Sequence, residues 1–300
     1  MSGRSIDATT VRTRLERGTS VPVATAWGFA FGATLLPQVL ANEVLGLDPG
    51  GLLYWQLGAV LVLFGLTFVS EHVRPLRSFA VALVAVQVTT ALDWSAANAV
   101  LATGIEGGFL AWVGDNAIRA AVALLAIGVL FGLGYDRDDL FLRRGSLSRP
   151  FDPVSLPGLA EPRPWRWYAP RWGGGILLVT AVVVIGIQGA GLVVTTFSPT
   201  QLLIGFPLIL LAAAFNSFFE EFVFRAAPLG ELTDCLGKHH ALVLLGTVWG
   251  FSHYYGTPSG IAAMGMGIVG GWFIGKSVLE TRGIGFAWGL HFLMDLVVFL

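Results

Sequence analysis

Charged residues are scarce in this 300-residue chain. They account for 12% of it, whereas hydrophobic residues account for 55%, and the mean hydropathy is +0.73. Because a soluble globular domain carries about 25% charged residues, this composition excludes a soluble protein. The sequence therefore predicts an integral, multi-pass membrane protein, with the cell membrane as its expected location.

Cysteine is rarer still, and other familiar signals are missing. Cys235 is the only cysteine, so an intrachain disulfide and metal sites built on CxxC motifs are both excluded. The net charge is -1 and no run of basic residues forms a binding patch, which excludes a nucleic-acid partner. The HExxH motif is absent, so the helix of the common zinc peptidases is not the template. The partner that this composition predicts is the lipid bilayer.

Long apolar stretches, by contrast, are abundant. About nine of them reach the roughly 20 residues that a helix needs to cross the hydrocarbon core: 22–44, 51–70, 79–98, 116–134, 174–196, 201–225, 240–256, 260–279 and 283–300. Lysine and arginine occur before the first apolar stretch and in or beside the connections that follow the second, fourth, sixth and eighth stretches. The connections that follow the first, third, fifth and seventh stretches contain neither residue. Since cytoplasmic loops carry the excess of Lys and Arg, the sequence predicts an all-α, polytopic transmembrane helix bundle with its N-terminus inside and its C-terminus outside.

A connection rich in proline and arginine divides the chain. Residues 135–172 contain six prolines, which favour an extended backbone over a helix. Trp165, Trp167, Tyr168 and Trp172 near its end are predicted to lie at the membrane interface, where amphipathic rings settle. Four regions are therefore predicted: a cytoplasmic N-terminal segment at 1–20, an accessory four-span bundle at 21–134, a cytoplasmic linker at 135–172 and a functional core at 173–300.

Three ionisable residues lie in the apolar run 201–225. Such groups are costly at bilayer depth and persist mainly where they pair, line a polar cavity or do chemistry. Glu221 and Arg225 have the i,i+4 spacing of an ion pair and are predicted to support the structure. Adjacent helical residues point about 100° apart, so Glu220 faces elsewhere, with Asn216 one turn earlier on its own face. Glu220 is therefore the candidate that accepts a proton from water.

Two histidines lie in later apolar stretches. His253 follows Trp249 by one helical turn, and His291 precedes Asp295 by one turn, so the Asp295 carboxylate is expected to fix the tautomer of His291. Glu220, His253 and His291 are predicted either to position a water molecule or to bind a zinc ion with water as the fourth ligand. A lone histidine often only bonds a carbonyl on a neighbouring helix. The combination on three segments favours an enzyme.

Two further patterns predict packing. Arg119 lies four residues after Asp115 near an outer boundary and is predicted to be a snorkelling residue at the end of a span. Small residues recur at every fourth position of the eighth apolar stretch, at Ala263, Gly267, Gly271 and Gly275. This stripe predicts close contact with a neighbouring helix and no catalytic role.

The polar residues of the last hundred positions resemble a known family. Glu220-Glu221-Phe-Val-Phe-Arg225 matches the EExxxR motif of the CPBP family, which comprises intramembrane CAAX proteases and bacteriocin-processing or self-immunity proteins, and is also called the Abi family. His253 matches the histidine of its FxxxH motif, with Trp249 in place of phenylalanine. His291 and Asp295 match its third motif, HxxxN or HxxxD. All three motifs occur in order on successive apolar segments between 200 and 300.

The resemblance implies an intramembrane endopeptidase that hydrolyses a peptide bond of a membrane-associated protein or peptide. In that family pattern Glu220 and His253 activate water, while His291 and Asp295 stabilise the oxyanion or orient the site. Glu221 and Arg225 hold the architecture. Family members are described both as metalloproteases and as metal-independent glutamate proteases, so zinc stays open as a cofactor.

Two other functions fit the same residues. One is a catalytically silent family member that acts as a membrane scaffold or bacteriocin-immunity factor. The other is a proton-coupled transporter whose buried acids and histidines relay protons. The complete set of motifs favours the enzyme over the scaffold. The lack of repeats and of paired broken helices disfavours the transporter.

Overall fold

The computed structural model describes residues 23–101, 105–188, 199–256 and 259–299. These residues form helices and connecting segments, without a strand, and one isolated β-bridge joins Pro150 to Pro164. Helices satisfy every internal backbone hydrogen bond within one segment, which is what an apolar surrounding requires. The predicted all-α helix bundle is confirmed for the described residues.

The described residues contain eleven α-helices. Five precede the linker: α1 Val23–Gly32, α2 Leu36–Val39, α3 Leu52–Val69, α4 Arg77–Leu101 and α5 Ile105–Gly132. Six follow the start of the linker: α6 Trp165–Val183, α7 Pro199–Glu221, α8 Leu229–Leu236, α9 Lys238–Ser252, α10 Gly260–Thr281 and α11 Gly285–Phe299. Short π-helices continue three of them, at Leu40–Val44 after α2, Val184–Gln188 after α6 and Phe222–Ala226 after α7.

Six helical segments of the described chain are long and apolar enough to span a membrane. A seventh is possible if α1 and the helix from Leu36 to Val44, which meet at a bend of 56°, form one broken span. Helices α9 and α11 have 15 residues each. At a rise of 1.5 Å per residue they reach only about 22 Å, short of a hydrocarbon core of about 30 Å. The number nine is therefore not established, and the N-in orientation stays a prediction.

The linker is shorter than predicted and its aromatic end is internal. Helix α6 begins at Trp165, so the last residues of the predicted linker are helical. Trp165 and Tyr168 have no exposed surface, and both pack against Phe151, at ring-centroid distances of 5.2 and 4.2 Å. Trp165 also contacts Phe273 of α10. The expectation of an interfacial position is wrong for these two rings, because they fill a core between the linker and α10.

A set of charged residues holds the linker to the rest of the fold; we call it the Glu280 cluster, formed by Asp152, Lys238, Lys276 and Glu280. Both lysine ammonium groups donate to Glu280 Oε1, at 2.6 Å from Lys238 and 2.5 Å from Lys276. Lys238 also donates to Asp152 Oδ2 at 2.6 Å, and this bond lowers the pKa of Asp152 below its usual value. Trp165 Nε1 donates to Glu280 Oε2 at 2.9 Å. Linker, α6, α9 and α10 are thus fastened at one end of the bundle.

The two predicted halves share one hydrophobic core. It joins residues of the first half such as Val60 and Leu83 to Phe222, Leu244 and Ala287 of the second half. Helix α7 packs against both α5 and α11. The first four predicted spans therefore do not form a separate body, and α5 can contribute to whatever site α7 carries.

Helices α9 and α10 approach each other through glycine. A Cβ atom on Gly267 would lie 2.7 Å from the Cα of Gly250, and one on Gly271 would lie 2.9 Å from the Trp249 ring. Gly246 similarly faces the backbone of α10. These distances are too short for a side chain, so the close packing predicted from the stripe of small residues is present. It places Trp249 and His253 firmly beside α10.

Candidate active site

The end of α7 carries a fully buried ion pair. Arg225 Nη1 donates to Glu221 Oε1 at 2.8 Å, and neither side chain has exposed surface. Arg225 lies in the π-helix Phe222–Ala226, an insertion type that is frequent at functional sites. Its guanidinium lies 4.0 Å above the ring of Trp249. The pairing expected from the i,i+4 spacing is therefore present, and the neighbouring ring contributes a cation–π contact.

His291 of α11 connects both glutamates. Its Nδ1 lies 2.7 Å from Glu221 Oε1, and its Nε2 lies 3.7 Å from Glu220 Oε2 and 3.5 Å from Asp295 Oδ1. The short partner that orients the imidazole is thus Glu221. The packing of α11 on α7 brings Glu221 closer to His291 than Asp295, the residue one turn along the same helix, so the influence of Asp295 on the tautomer stays a prediction.

The Glu220 carboxylate is held from two sides. Trp249 Nε1 donates to Oε2 at 2.6 Å, and Asn216 Nδ2 donates to Oε1 at 3.3 Å. Asn216 Nδ2 also donates to Asp295 Oδ2 at 3.1 Å, so it joins the two acids. The role of Trp249 as a donor is not evident from the motif, because the phenylalanine usual at that position has no N–H to donate. The replacement of phenylalanine by tryptophan, which has an indole N–H, is the sequence signal that could have indicated this hydrogen bond.

His253 caps the end of α9. Its Nδ1 lies 2.9 Å from the carbonyl oxygen of Trp249, and the two rings make an edge contact with centroids 4.6 Å apart. Because a carbonyl oxygen only accepts, this contact assigns the proton to Nδ1. Nε2 is then the ring atom with a lone pair that can accept a proton.

Two cavities meet at this group of side chains. The first, which we call the apolar cavity, has a volume of about 590 Å³ and lies between α6, α10 and α11. The second, the polar cavity, has about 560 Å³ and lies between α2, α4, α5, α7, α9 and α11. His253, Asp295 and Val298 line both. A peptide bond placed at this junction would have the apolar cavity on one side and the polar cavity on the other.

The predicted site residues divide between the two cavities. Glu220 and Asn216 line the polar cavity, whereas Trp249 and His291 line the apolar one. Glu221 and Arg225, fully buried, line neither. The expectation that the adjacent glutamates face different surroundings therefore agrees with the geometry.

The donor set does not fit zinc in this arrangement. Among the described residues, no group of three or more His, Cys, Asp or Glu side chains is placed to hold a metal ion. Glu220 Oε2 accepts the indole proton of Trp249, and Nδ1 of His291 is taken by Glu221. The zinc site suggested for Glu220, His253 and His291 is therefore not supported, and no step below is routed through a metal.

Helices α4 and α5 contribute to the site, which the sequence did not suggest. Gln87 of α4 and Asp115, Asn116 and Arg119 of α5 line the polar cavity together with Glu220. The Arg119 guanidinium lies 6.0 Å from the ring of Phe219, the residue before Glu220. The interpretation of Arg119 as a snorkelling end residue therefore does not describe its position, because the packing of α5 on α7 turns it toward the cavity.

The same part of the chain matches a known family. Residues 201–297 match the model of the Rce1-like family, described as type II CAAX prenyl endopeptidase Rce1-like. The match includes all three sequence motifs, and it confirms the resemblance to the CPBP and CAAX proteases. Neither the curated proteins nor the solved structures contain a significant match to the chain.

Proposed function

We propose that this protein, which is similar to the CPBP/CAAX proteases over residues 201–297, is an intramembrane endopeptidase that uses Glu220 and His253 to activate water. The family match supports a CAAX-type protease, and the apolar helices together with that match support an integral membrane protein. The residues that perform the reaction and the peptide bond that is hydrolysed form the proposal. We expect the cell membrane to be its location.

One observation carries the proposal. Glu220 and His253, from two different helices, line the same polar cavity, and each has its second polar atom already fixed. Trp249 supplies both restraints, since its indole binds Glu220 Oε2 and its carbonyl binds His253 Nδ1. Glu220 Oε1, whose bond from Asn216 is long at 3.3 Å, and His253 Nε2 are then the atoms proposed to share a water molecule. Such preorganisation is what general acid–base catalysis requires.

The proposed reaction proceeds by direct attack of water. Glu220 takes one proton from the water molecule while the water oxygen bonds to the carbonyl carbon of the substrate, and this step gives a tetrahedral oxyanion. The carbon–nitrogen bond then breaks, and the leaving amine receives a proton through Glu220 or His253. The products are a carboxylic acid and an amine, which become a carboxylate and an ammonium group by proton exchange, and the site returns to its starting protonation.

The oxyanion needs donors on the opposite side of the carbonyl. His291 lines the apolar cavity, and its Nε2 is directed toward Glu220 and Asp295 rather than Glu221. A proton on that nitrogen can be donated to an oxyanion formed at the junction of the cavities. Asp295, which accepts from Asn216, then acts by orienting this part of the site.

The apolar cavity suits the membrane-embedded part of a substrate. Its described lining includes Ile176, Val179, Met266 and Met294, with His253 and His291 at its polar end. An apolar or lipidated segment in this space would leave its peptide bond beside the catalytic group. The proposed substrate is therefore a membrane-associated protein or peptide.

The test uses the full chain purified in detergent and a quenched fluorescent peptide with a farnesylated CAAX end. We expect hydrolysis by the unchanged protein, with or without a chelator. Glu220→Gln keeps the shape of the side chain but removes the base, so its rate should fall by about 10²–10⁴. The melting temperature of this variant should be close to that of the unchanged protein.

The matched control is a substitution in the Glu280 cluster, Asp152→Asn, which lies outside both cavities and should cleave normally. A folded parent protein that cleaves neither this peptide nor its unlipidated form would favour the silent scaffold. Full activity in Glu220→Gln would contradict the assignment of the base. Loss of activity on chelation that zinc restores would contradict the metal-free mechanism.

A further inference from the structure

The polar cavity has a wall that the family match does not include. Residues 201–297 supply Asn216, Glu220 and His253, but the facing side comes from α4 and α5. Arg119 is the only lysine or arginine among the described residues that line this cavity. Its place near Phe219 puts a permanent positive charge within the space that Glu220 and Asp295 border.

The opposite wall also offers an acceptor. Gln87 is 3% exposed, and its Nε2 donates to the carbonyl oxygen of Ala33 at 2.7 Å, which fixes the amide orientation. Its Oε1 has no hydrogen-bond partner within the described part of the chain. A buried acceptor without a partner is costly, and a donor on a bound molecule would relieve that cost. A peptide N–H group is such a donor.

The charges of the cavity restrict what can bind there. Asp115, Glu220 and Asp295 all line it, so an additional anion would be repelled. Arg119 can offset that repulsion, because a guanidinium presents five N–H donors and can serve Asp115 and a second carboxylate together. A cation that borders the same cavity as these acids is therefore the feature that permits an anionic substrate group.

We infer that the polar cavity is a subsite for a substrate carboxylate, bound by Arg119, with a substrate backbone N–H donated to Gln87 Oε1. This inference rests on the proposed function, because it places the reacting bond at the junction of the two cavities. The apolar portion of the substrate occupies one cavity, and the portion that ends in or carries the carboxylate occupies the other. Arg119 is then a specificity-determining residue that the first half of the chain supplies.

Binding can be measured without turnover. In a Glu220→Gln background, fluorescein-labelled farnesylated CAAX peptides are titrated with purified full-length protein in detergent micelles, and anisotropy gives Kd. Three peptides are compared: the free carboxylic acid, the C-terminal carboxamide, and the carboxamide with one glutamate in place of the last residue. The third peptide distinguishes a side-chain carboxylate from a terminal one.

We expect at least one of the two acids to bind about tenfold or more tightly than the plain carboxamide, because a charge-assisted hydrogen bond is lost with the amide. Adding Arg119→Gln should remove this preference while leaving the Kd of the carboxamide nearly unchanged. Arg119→Lys should keep part of it. Arg163→Gln is the control, since Arg163 is an exposed linker residue that lines neither cavity, and it should keep the full preference.

Three results would overturn the inference. They are equal binding of all three peptides, a preference that survives Arg119→Gln, and an equal loss of affinity for acid and amide in that variant, which would indicate a structural role. Gln87→Leu tests the second contact and should weaken all three peptides alike. Carboxylate-dependent binding by a parent protein that never cleaves would uphold the subsite and refute the protease.

Discussion

Glu221 and Glu280 each lie in a cluster of charged side chains, but the two clusters have different surroundings. Glu221 contacts Arg225 and His291 with no exposed surface, and its Oε2 has no hydrogen-bond partner in the described structure. Glu280 lies where the linker meets α9 and α10, and it accepts from two lysines and the indole of Trp165. The outer cluster is thus more completely hydrogen-bonded than the inner one.

The difference shows what each cluster can tolerate. In the Glu280 cluster, water can replace a lost partner of Asp152, which is largely exposed, and the buried Lys276 keeps the carbonyl oxygen of Asp152 as a second acceptor. In the inner cluster no such replacement is available, so a charge that loses its partner stays buried. The inner arrangement fixes His291 and therefore the site, whereas the outer one fastens the linker to α6, α9 and α10 outside both cavities. Each prediction below changes one cluster and uses the other for comparison.

The largest effect is expected for the inner pair. Glu221→Gln leaves Arg225 buried without its counter-charge, and such a loss costs about 3–5 kcal/mol in soluble proteins. We expect a marked fall in expression and melting temperature in detergent. Glu220→Gln, which leaves that pair intact, should melt near the parent temperature. Equal stability of the two variants would show that the adjacent glutamates do not divide their roles.

A smaller loss of stability is expected for the outer cluster. Glu280→Gln removes one acceptor charge, but Lys276 retains the carbonyl oxygen of Asp152 as a partner at 2.6 Å. We expect a loss of about 1–3 kcal/mol in the free energy of unfolding. Thermal unfolding in the same detergent measures it, and the rate of hydrolysis below the transition should be unchanged. A greater loss than in Glu221→Gln would reverse the comparison.

The two tryptophans provide the next test. Trp249→Phe removes the N–H bound to Glu220 but keeps a ring beside His253 and Arg225, so we expect a rate about tenfold lower and little change in melting temperature. Trp165→Phe removes the N–H bound to Glu280, so it should lower the melting temperature and leave the rate unchanged. Identical profiles for both variants would mean that Trp249 only fills space.

The smallest effect concerns Asp152. Its lowered pKa means that the folded state favours the ionised carboxylate, so the contribution to stability is present above its unfolded pKa of about 3.9 and is lost as pH falls through the lower folded value. Asp152→Asn should cost at most about 1 kcal/mol at pH 7. The difference in melting temperature from the parent should disappear in acid. A difference that grows on acidification would contradict the assignment.

The parts of this structure that depend on neighbours in sequence could be predicted. The length of the apolar stretches predicted the helices, and the i,i+4 spacing predicted the Glu221–Arg225 pair. The stripe of small residues through Gly267 and Gly271 predicted close helix packing. Contacts between distant segments were not accessible in this way. The bond from Trp249 to Glu220 depends on how α9 faces α7, and the position of Arg119 depends on how α5 faces α7. Hydropathy does not encode either rotation.

The linker illustrates a different limit. Aromatic and basic residues together suit both a membrane interface and a packed core, because the same rings can cover either kind of apolar surface. Trp165 and Tyr168 belong to the core only because Phe151 and Phe273 meet them. No local sequence pattern predicts these contacts between distant segments. The π-helix after Glu221, which contains Arg225, likewise could not be predicted from the sequence pattern.

The glycine contact between α9 and α10 has a consequence for motion. Backbone that touches backbone leaves no side chain to rotate out of the way, so these helices must move together as one rigid body. Short contacts to Glu221 likewise tie α11 to α7 through His291. Helix α6 lines the apolar cavity with Ile176 and Val179, and α10 and α11 add the flexible side chains of Met266 and Met294. We therefore expect this cavity to widen by rotation of these side chains and by displacement of α6, while the contacts that join α9 to α10 and α7 to α11 keep the reacting groups in place.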